Sequence, residues 1–321
     1  MSDTLSALVK TIRHEADDVI SIELLPAQGT VFPRFDAGSH IDLHLPNGMV
    51  RNYSLLNSVE DDGRYVIGVL RDRASRGGSR CVHEQLRVGM TIPIAAPRNN
   101  FPLHEDAAHS VLVAGGIGIT PILCMVKRLA ALGRSMELLY FARSRQSAAF
   151  IDQLEALGVK AHWHFDAEHG VPPDLRALLA ERPMRAAGET HYYACGPAVM
   201  LDAFERACTE LGYTNAHIER FAAVAVEASK EARSSYTAVL GKSGRSFAIT
   251  SAKSLLATLV DGGVDVAYSC EEGVCGTCET GVLEGTPDHR DSVLSATERA
   301  SKKVMMVCVS GCKSERLVLD L

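Results

Sequence analysis

The chain has 321 residues, 46% of them hydrophobic, and a formal net charge of −6. That length predicts two or three domains, each able to bury a core of ordinary composition. The acidic balance excludes the basic footprint that nucleic-acid binding requires. Residues 5–103 read as short β-like runs separated by turn signals, at 19–24, 40–45, 65–70 and 91–95. Several alternate apolar and polar, as in H-I-D-L-H-L, and no long helical pattern intervenes, so a small antiparallel β-barrel is predicted over 1–105. The longest apolar run, 111–126, is broken by Gly115, Gly116, Gly118 and Pro121; it predicts strand, turn and helix, and no membrane span.

Residues 106–223 change texture to strand alternating with helix. After the strand 111–114, helical spacing runs to Gly133, a C-cap, and further strands are predicted at 136–142, 160–165, 191–195 and 216–221. That is a βαβ series and implies an α/β domain on a parallel sheet. Residues 224–234 read as a linker. In 235–321 a hairpin (236–240 and 246–250), a helix (254–261) and a cysteine-rich loop predict a third, α+β domain. Nothing at the N-terminus resembles a signal peptide, and the nine cysteines therefore point to a reducing cytoplasm.

The cysteine loop is the strongest chemical signal. Cys270, Cys275 and Cys278 are spaced C-x4-C-x2-C, and Cys308 follows after 29 residues, from a β-like segment at 304–309. This is the ligand spacing of a plant-type 2Fe–2S cluster. Three thiolates can converge only if the backbone between them is tightly curved, and Gly273 and Gly276 supply the freedom. A zinc site usually pairs two C-x2-C knuckles, and only one is present. Disulfides would suit a secreted chain.

Three further motifs are weaker alone. Arg51-Asn52-Tyr53-Ser54 ends a barrel strand with a cation, an aromatic ring and a hydroxyl, groups suited to a flavin ring or to an ordinary exposed strand. Arg76-Gly77-Gly78-Ser79 opens a short helix and makes an anion site or a mobile turn. Gly115-Gly116-Ile117-Gly118-Ile119-Thr120-Pro121 joins strand to helix, where a pyrophosphate can meet the helix dipole, although it is not G-x-G-x-x-G. Cys195-Gly196-Pro197 stands at a strand end, where ligands bind in open α/β sheets.

Taken in order, R-x-Y-S, G-G-x-G-I-T-P, C-G-P and C-x4-C-x2-C…C resemble the phthalate dioxygenase reductase family. These are flavin- and iron–sulfur-containing reductases of Rieske-type oxygenases, built on the ferredoxin-NADP reductase scaffold, and the resemblance covers essentially the whole chain. It implies FMN in the barrel, NADH on the α/β domain and a 2Fe–2S cluster in a plant-type ferredoxin domain. Carried over by motif, Arg51, Tyr53 and Ser54 hold the flavin ring, and Arg76, Gly77, Gly78 and Ser79 its phosphate. Gly116, Thr120, Cys195, Gly196 and Pro197 line the nicotinamide path. Phe221 takes the place of an aromatic near the flavin, and Ser54, Cys195 and Phe221 are the expected catalytic residues.

The implied activity is electron transfer from NADH, two electrons as one hydride, through flavin to the cluster and on to a separate Rieske-type terminal oxygenase, with phthalate or a similar aromatic acid as the oxygenase's substrate. The implied protein is a monomer that forms a transient complex and contacts neither nucleic acid nor membrane. Alternatives are a reductase serving a non-aromatic oxygenase or demethylase, and a general NAD(P)H-dependent ferredoxin-type reductase. A complete oxygenase would need a Rieske C-x-x-H, which is absent. Arg143 and Arg145 depart from the acidic residue expected in an NADH-selective member, since arginines there can receive a 2′-phosphate. Asp261, Asp265, Glu271, Glu272, Glu279, Glu284 and Asp288, with no Lys or Arg from Ser254 to His289, predict an uncompensated acidic face for a basic partner.

Overall fold

The computed structural model describes residues 4–73, 77–182, 189–221 and 235–321. The alternating segments of the first hundred residues pair as strands β1 (Leu5–Ala16), β2 (Val19–Pro26), β3 (Ser39–His44), β4 (Val50–Ser54), β5 (Tyr65–Leu70), β6 (Thr91–Ile94) and β7 (Arg98–Asn99), with helix α1 (Gly78–Gln85) after β5. Their order is β4-β3-β6-β1-β2-β5, with β7 on β3. Leu55, just past β4, bridges to Ile67 of β5, which brings the two edges together as a barrel. Alternation in β3 does not leave its polar residues in water. His40 and Asp42 are both buried, and Arg98 donates to Asp42 at 2.7 Å while Asn52 donates to the same carboxylate.

The second segment builds β8 (His109–Gly115), α2 (Ile119–Ala131), β9 (Met136–Ala142), α3 (Ile151–Ala156), β10 (Ala161–Phe165), α4 (Asp166–His169), α5 (Leu175–Ala180), β11 (Thr190–Cys195), α6 (Ala198–Leu211) and β12 (Ala216–Glu219). The five strands are parallel in the order β10-β9-β8-β11-β12. β8 is buried at every position, which explains its continuous apolar sequence. The chain reverses direction across the sheet between β8 and β11, the crevice where ligands of open α/β sheets bind. One apolar core runs from barrel residues such as Ile41 and Ile67 to Ile122 and Val126 of α2. Gly68 permits this approach, since a Cβ there would lie 2.7 Å from Thr120 Cγ2. These elements form one compact unit ending at Arg220.

A second unit runs from Phe221 to Leu321. It contains β13 (Tyr236–Leu240), β14 (Ser246–Ile249), α7 (Leu255–Asp261), β15 (Glu279–Glu284), β16 (Pro287–Asp288), α8 (Ala296–Ser301), β17 (Val304–Met306), β18 (Gly311–Cys312) and β19 (Arg316–Leu319). Its main sheet has the order β14-β13-β19-β15-β17 and is closed over by α7 on a core including Leu255, Leu259, Met305 and Leu317. Ser254 caps α7 by accepting from Ala257 N at 3.1 Å. The expected linker 224–234 and Arg76 lie outside the described residues. Among the described residues no helix is long and apolar enough to cross a membrane.

Candidate functional site

In the first unit, β4 carries Arg51, Tyr53 and Ser54. Arg51 lies directly against the start of α1: a Cβ at Gly78 would be 2.6 Å from its Nε. Gly77 takes φ 112 as the N-cap of that helix, with no acidic residue in the first turn, so a cation and a helix N-terminus face the same space. Ser79 spends its Oγ on the peptide N–H of Asp72, at 3.2 Å. Tyr53 is surrounded closely enough that burial raises its phenol well above the usual range.

The glycine turn after β8 and the C-G-P segment after β11 meet. A Cβ at Gly118 would be 2.2 Å from the Cys195 carbonyl oxygen and 2.6 Å from Gly196 N, and one at Gly115 would be 2.7 Å from Pro197 Cδ. These are contacts that only glycine allows. Gly116 has φ 52, and Thr120 turns its hydroxyl back to the Ile117 carbonyl at 3.0 Å, closing the turn at the head of α2. Pro197 is the N-cap of α6, so two helix N-termini flank this crevice.

A residue with no motif of its own completes the site. The register of β11 and β12 sets Glu219 beside Cys195, and Ser54 Oγ donates to Glu219 Oε2 at 3.4 Å. Burial raises the Glu219 carboxyl to about 8 against the partial relief of that hydrogen bond. Burial, and then the neighbouring carboxylate, pushes the Cys195 thiol well above its ordinary value. Ser54, Cys195 and Glu219 thus form a group that holds protons at neutral pH, at the crevice between barrel and parallel sheet. The sequence signal for Glu219 was only its place at a strand end, two residues before Phe221. Phe221 itself is 41% exposed and begins the second unit.

In that second unit Cys270, Cys275 and Cys278 lie in the loop between α7 and β15. Cys308 does not sit in a strand: β17 stops at Met306 and the residue falls in the turn after it, which lets its sulfur swing to the loop. All four are buried and none is in a disulfide. Their sulfurs interact in two pairs, Cys270 with Cys275 and Cys278 with Cys308, and in each pair the shared hydrogen bond holds the first thiol low and the second high. Two pairs of sulfurs suit a two-iron cluster with four thiolate ligands. Peptide N–H groups also point at sulfur, Glu272 N reaching Cys270 Sγ at 3.3 Å. Gly273, φ 70, is enclosed: a Cβ would be 2.6 Å from Val309 Cγ2.

Comparison with known proteins identifies the domains that carry these residues. Residues 112–206 match the oxidoreductase NAD-binding domain and residues 239–313 the 2Fe–2S iron–sulfur cluster binding domain. The chain is 47% identical to phenoxybenzoate dioxygenase subunit beta of Ectopseudomonas oleovorans, over 99% of this chain and 97% of that one. It superimposes on the structure of phthalate dioxygenase reductase with TM-score 0.72 at 37% identity, covering 99% and 98% of the two chains. This chain belongs to the phthalate dioxygenase reductase-like family. It is an oxidoreductase with an NAD-binding and a 2Fe–2S domain. A type IV self-sufficient cytochrome P450 monooxygenase contains a similar body, with TM-score 0.89 and 37% identity, and the reductase spans 41% of that longer chain.

One feature of the reductase departs from the sequence expectations. The acidic face is partly compensated by residues flanking the segment: Asp261 pairs with Lys253, and Asp288 with Arg290 at 2.6 Å and Lys313 at 3.8 Å. Glu271, Glu279 and Glu284 are exposed. Arg145 lies over the Phe165 ring at 5.1 Å, and Arg143 follows the end of β9 directly.

Proposed function

We propose that this chain is the reductase component of a Rieske-type oxygenase system, taking electrons from NADH through FMN to a 2Fe–2S cluster held by Cys270, Cys275, Cys278 and Cys308, and on to a separate oxygenase in a transient complex. The observation that carries the reading is the meeting of the Gly115–Gly118 turn with Cys195-Gly196-Pro197, beside Ser54 and Glu219, in a chain that also holds four paired cysteines. Bound flavin supplies the conversion of a two-electron hydride into single electrons, and the cluster carries electrons one at a time. The chain's own part is positioning. Arg51 and the head of α1 provide a compact anion site, which favours FMN over FAD. Thr120, Gly116 and the C-G-P backbone orient the nicotinamide, and Ser54, with Glu219 behind it, holds a hydroxyl proton at the flavin edge.

The full-length likeness to a dioxygenase subunit supports a partner on another polypeptide, with phthalate or a similar aromatic acid as that partner's substrate. Acid release of the flavin, its mass spectrum and an iron assay test the cofactor set. FMN and two irons per chain are expected; recovery of FAD, or zinc in place of iron, would overturn it. Steady-state kinetics with both nucleotides tests the donor: kcat/KM favours NADH if Arg143 and Arg145 remain solvated, and favours NADPH if they bind the 2′-phosphate.

A further inference from the structure

Where the parallel strands β11 and β12 begin, three imidazoles crowd together that the reductase chemistry leaves unused. Nδ1 of His191 lies 3.0 Å from Nε2 of His217. His104, from the connection between β7 and β8, lies against both, its ring centroid 4.4 Å from that of His191 and 5.0 Å from that of His217. Each ring offers one nitrogen, and the three nitrogens lie within 4.8 Å of one another. The backbone holds them there. Register pairs Tyr193 with His217, and the His104 peptide N–H donates to Tyr193 Oη at 2.8 Å, which anchors the segment entering β8 on the strand next to it.

We propose that His104, His191 and His217 bind a divalent transition-metal ion of the zinc, cobalt or nickel kind, a clamp between the segment entering β8 and the two strands. Nitrogens about 2.0–2.1 Å from a tetrahedral zinc lie roughly 3.4 Å apart; the His191–His217 pair is within half an ångström of that, and the exposed His104 ring closes the rest by rotation. Three imidazoles without a carboxylate or thiolate select these ions over Mg2+ and Ca2+, which want oxygen. Three protein ligands leave one position for water. Alternation along β12 places His217 on the same face as Glu219, two residues or about 7 Å away. The ion therefore binds beside the redox crevice and outside it.

The test uses the full-length, cluster-loaded protein. Equilibrium dialysis against Zn2+, with Mg2+ as control, measures metal per chain for the wild type, His104→Ala and His217→Gln, and a thermal melt is recorded with and without Zn2+. One additional zinc per wild-type chain is expected, weakened at least about tenfold in each variant, since even outer-shell losses cost 10–100-fold. Zinc should raise the wild-type melting temperature through mass action on the folded state, and the rise should vanish in His104→Ala, whose exposed position spares the fold. Equal zinc uptake by the wild type and His104→Ala, or wild-type uptake no greater than that of Mg2+, overturns the site and leaves the trio a hydrogen-bonded imidazole stack.

Discussion

A single buried carboxyl decides how the redox crevice responds to pH. Glu219 has its folded pKa at about 8, above the ordinary 4.5, so the folded state binds more protons than the unfolded one between those values. Its contribution to stability is fully present below the unfolded pKa and is lost as pH rises through 8. Melting temperatures of the wild type and Glu219→Gln, compared from about pH 5 to about pH 9, should therefore draw apart, the Gln variant gaining on the wild type as pH rises. Parallel profiles would mean that the carboxyl is ionised and solvated. Cys275→Ser probes the other site. Losing one of four thiolates should abolish the cluster's absorbance and electron delivery to an acceptor, while flavin reduction by NADH stays within about twofold, because the first unit has its own core; loss of flavin reduction as well would contradict that independence. The cysteines were legible in the sequence because ligand spacing is local. Glu219 was not, because it acquires its role from a strand register and from the barrel strand carrying Ser54, neither of which a linear pattern records.

At the scale of elements, glycine determines how closely the turn after β8 and the Cys195-Gly196-Pro197 segment can approach. Gly118 faces the Cys195 carbonyl at a distance where a methyl group would need the strand end to move. Gly118→Ala should cost roughly 1–3 kcal/mol of stability by overpacking, and displacement of Cys195-Gly196 by about an ångström should lower kcat/KM for NADH by about 10²-fold. Cluster content should be unchanged. A variant with wild-type hydride transfer would show that the crevice does not receive the nicotinamide. Most strands of the parallel sheet could be read from the sequence, since fully buried strands are continuous apolar runs bounded by turns. The twelve-residue β1 could not. Its register slips between Val9 and Thr11 and again between His14 and Ala16, so alternation never persists long enough to be seen. Cys308 escaped its strand for a similar reason: 304–309 is apolar enough for β structure, but the last residues turn to bring sulfur inward.

For the molecule as a whole, charge around the cysteine loop is where the proposed partner complex can be tested. The run of seven carboxylates looked uncompensated because the pairing cations lie just outside it, Lys253 before and Arg290 and Lys313 after. With Asp261 and Asp288 neutralised, the exposed Glu271, Glu279 and Glu284 remain as acidic surface, and Glu271 and Glu279 directly follow Cys270 and Cys278 of the proposed cluster. Glu271 has a backbone φ of 56. Such a surface favours a small, charge-steered electron-transfer complex with a basic oxygenase face. As salt rises from about 0.1 M to about 1 M the Debye length falls from about 10 Å to about 3 Å, so reduction of the oxygenase should slow steeply while NADH-to-flavin transfer changes little. Glu271→Lys combined with Glu272→Lys should reproduce that slowing at low salt, by one or more orders of magnitude in the association rate, and should remove most of the remaining salt dependence. Measured by stopped flow with the oxygenase as acceptor, a rate indifferent to both salt and charge reversal would assign docking to another surface and leave these glutamates a solvating role.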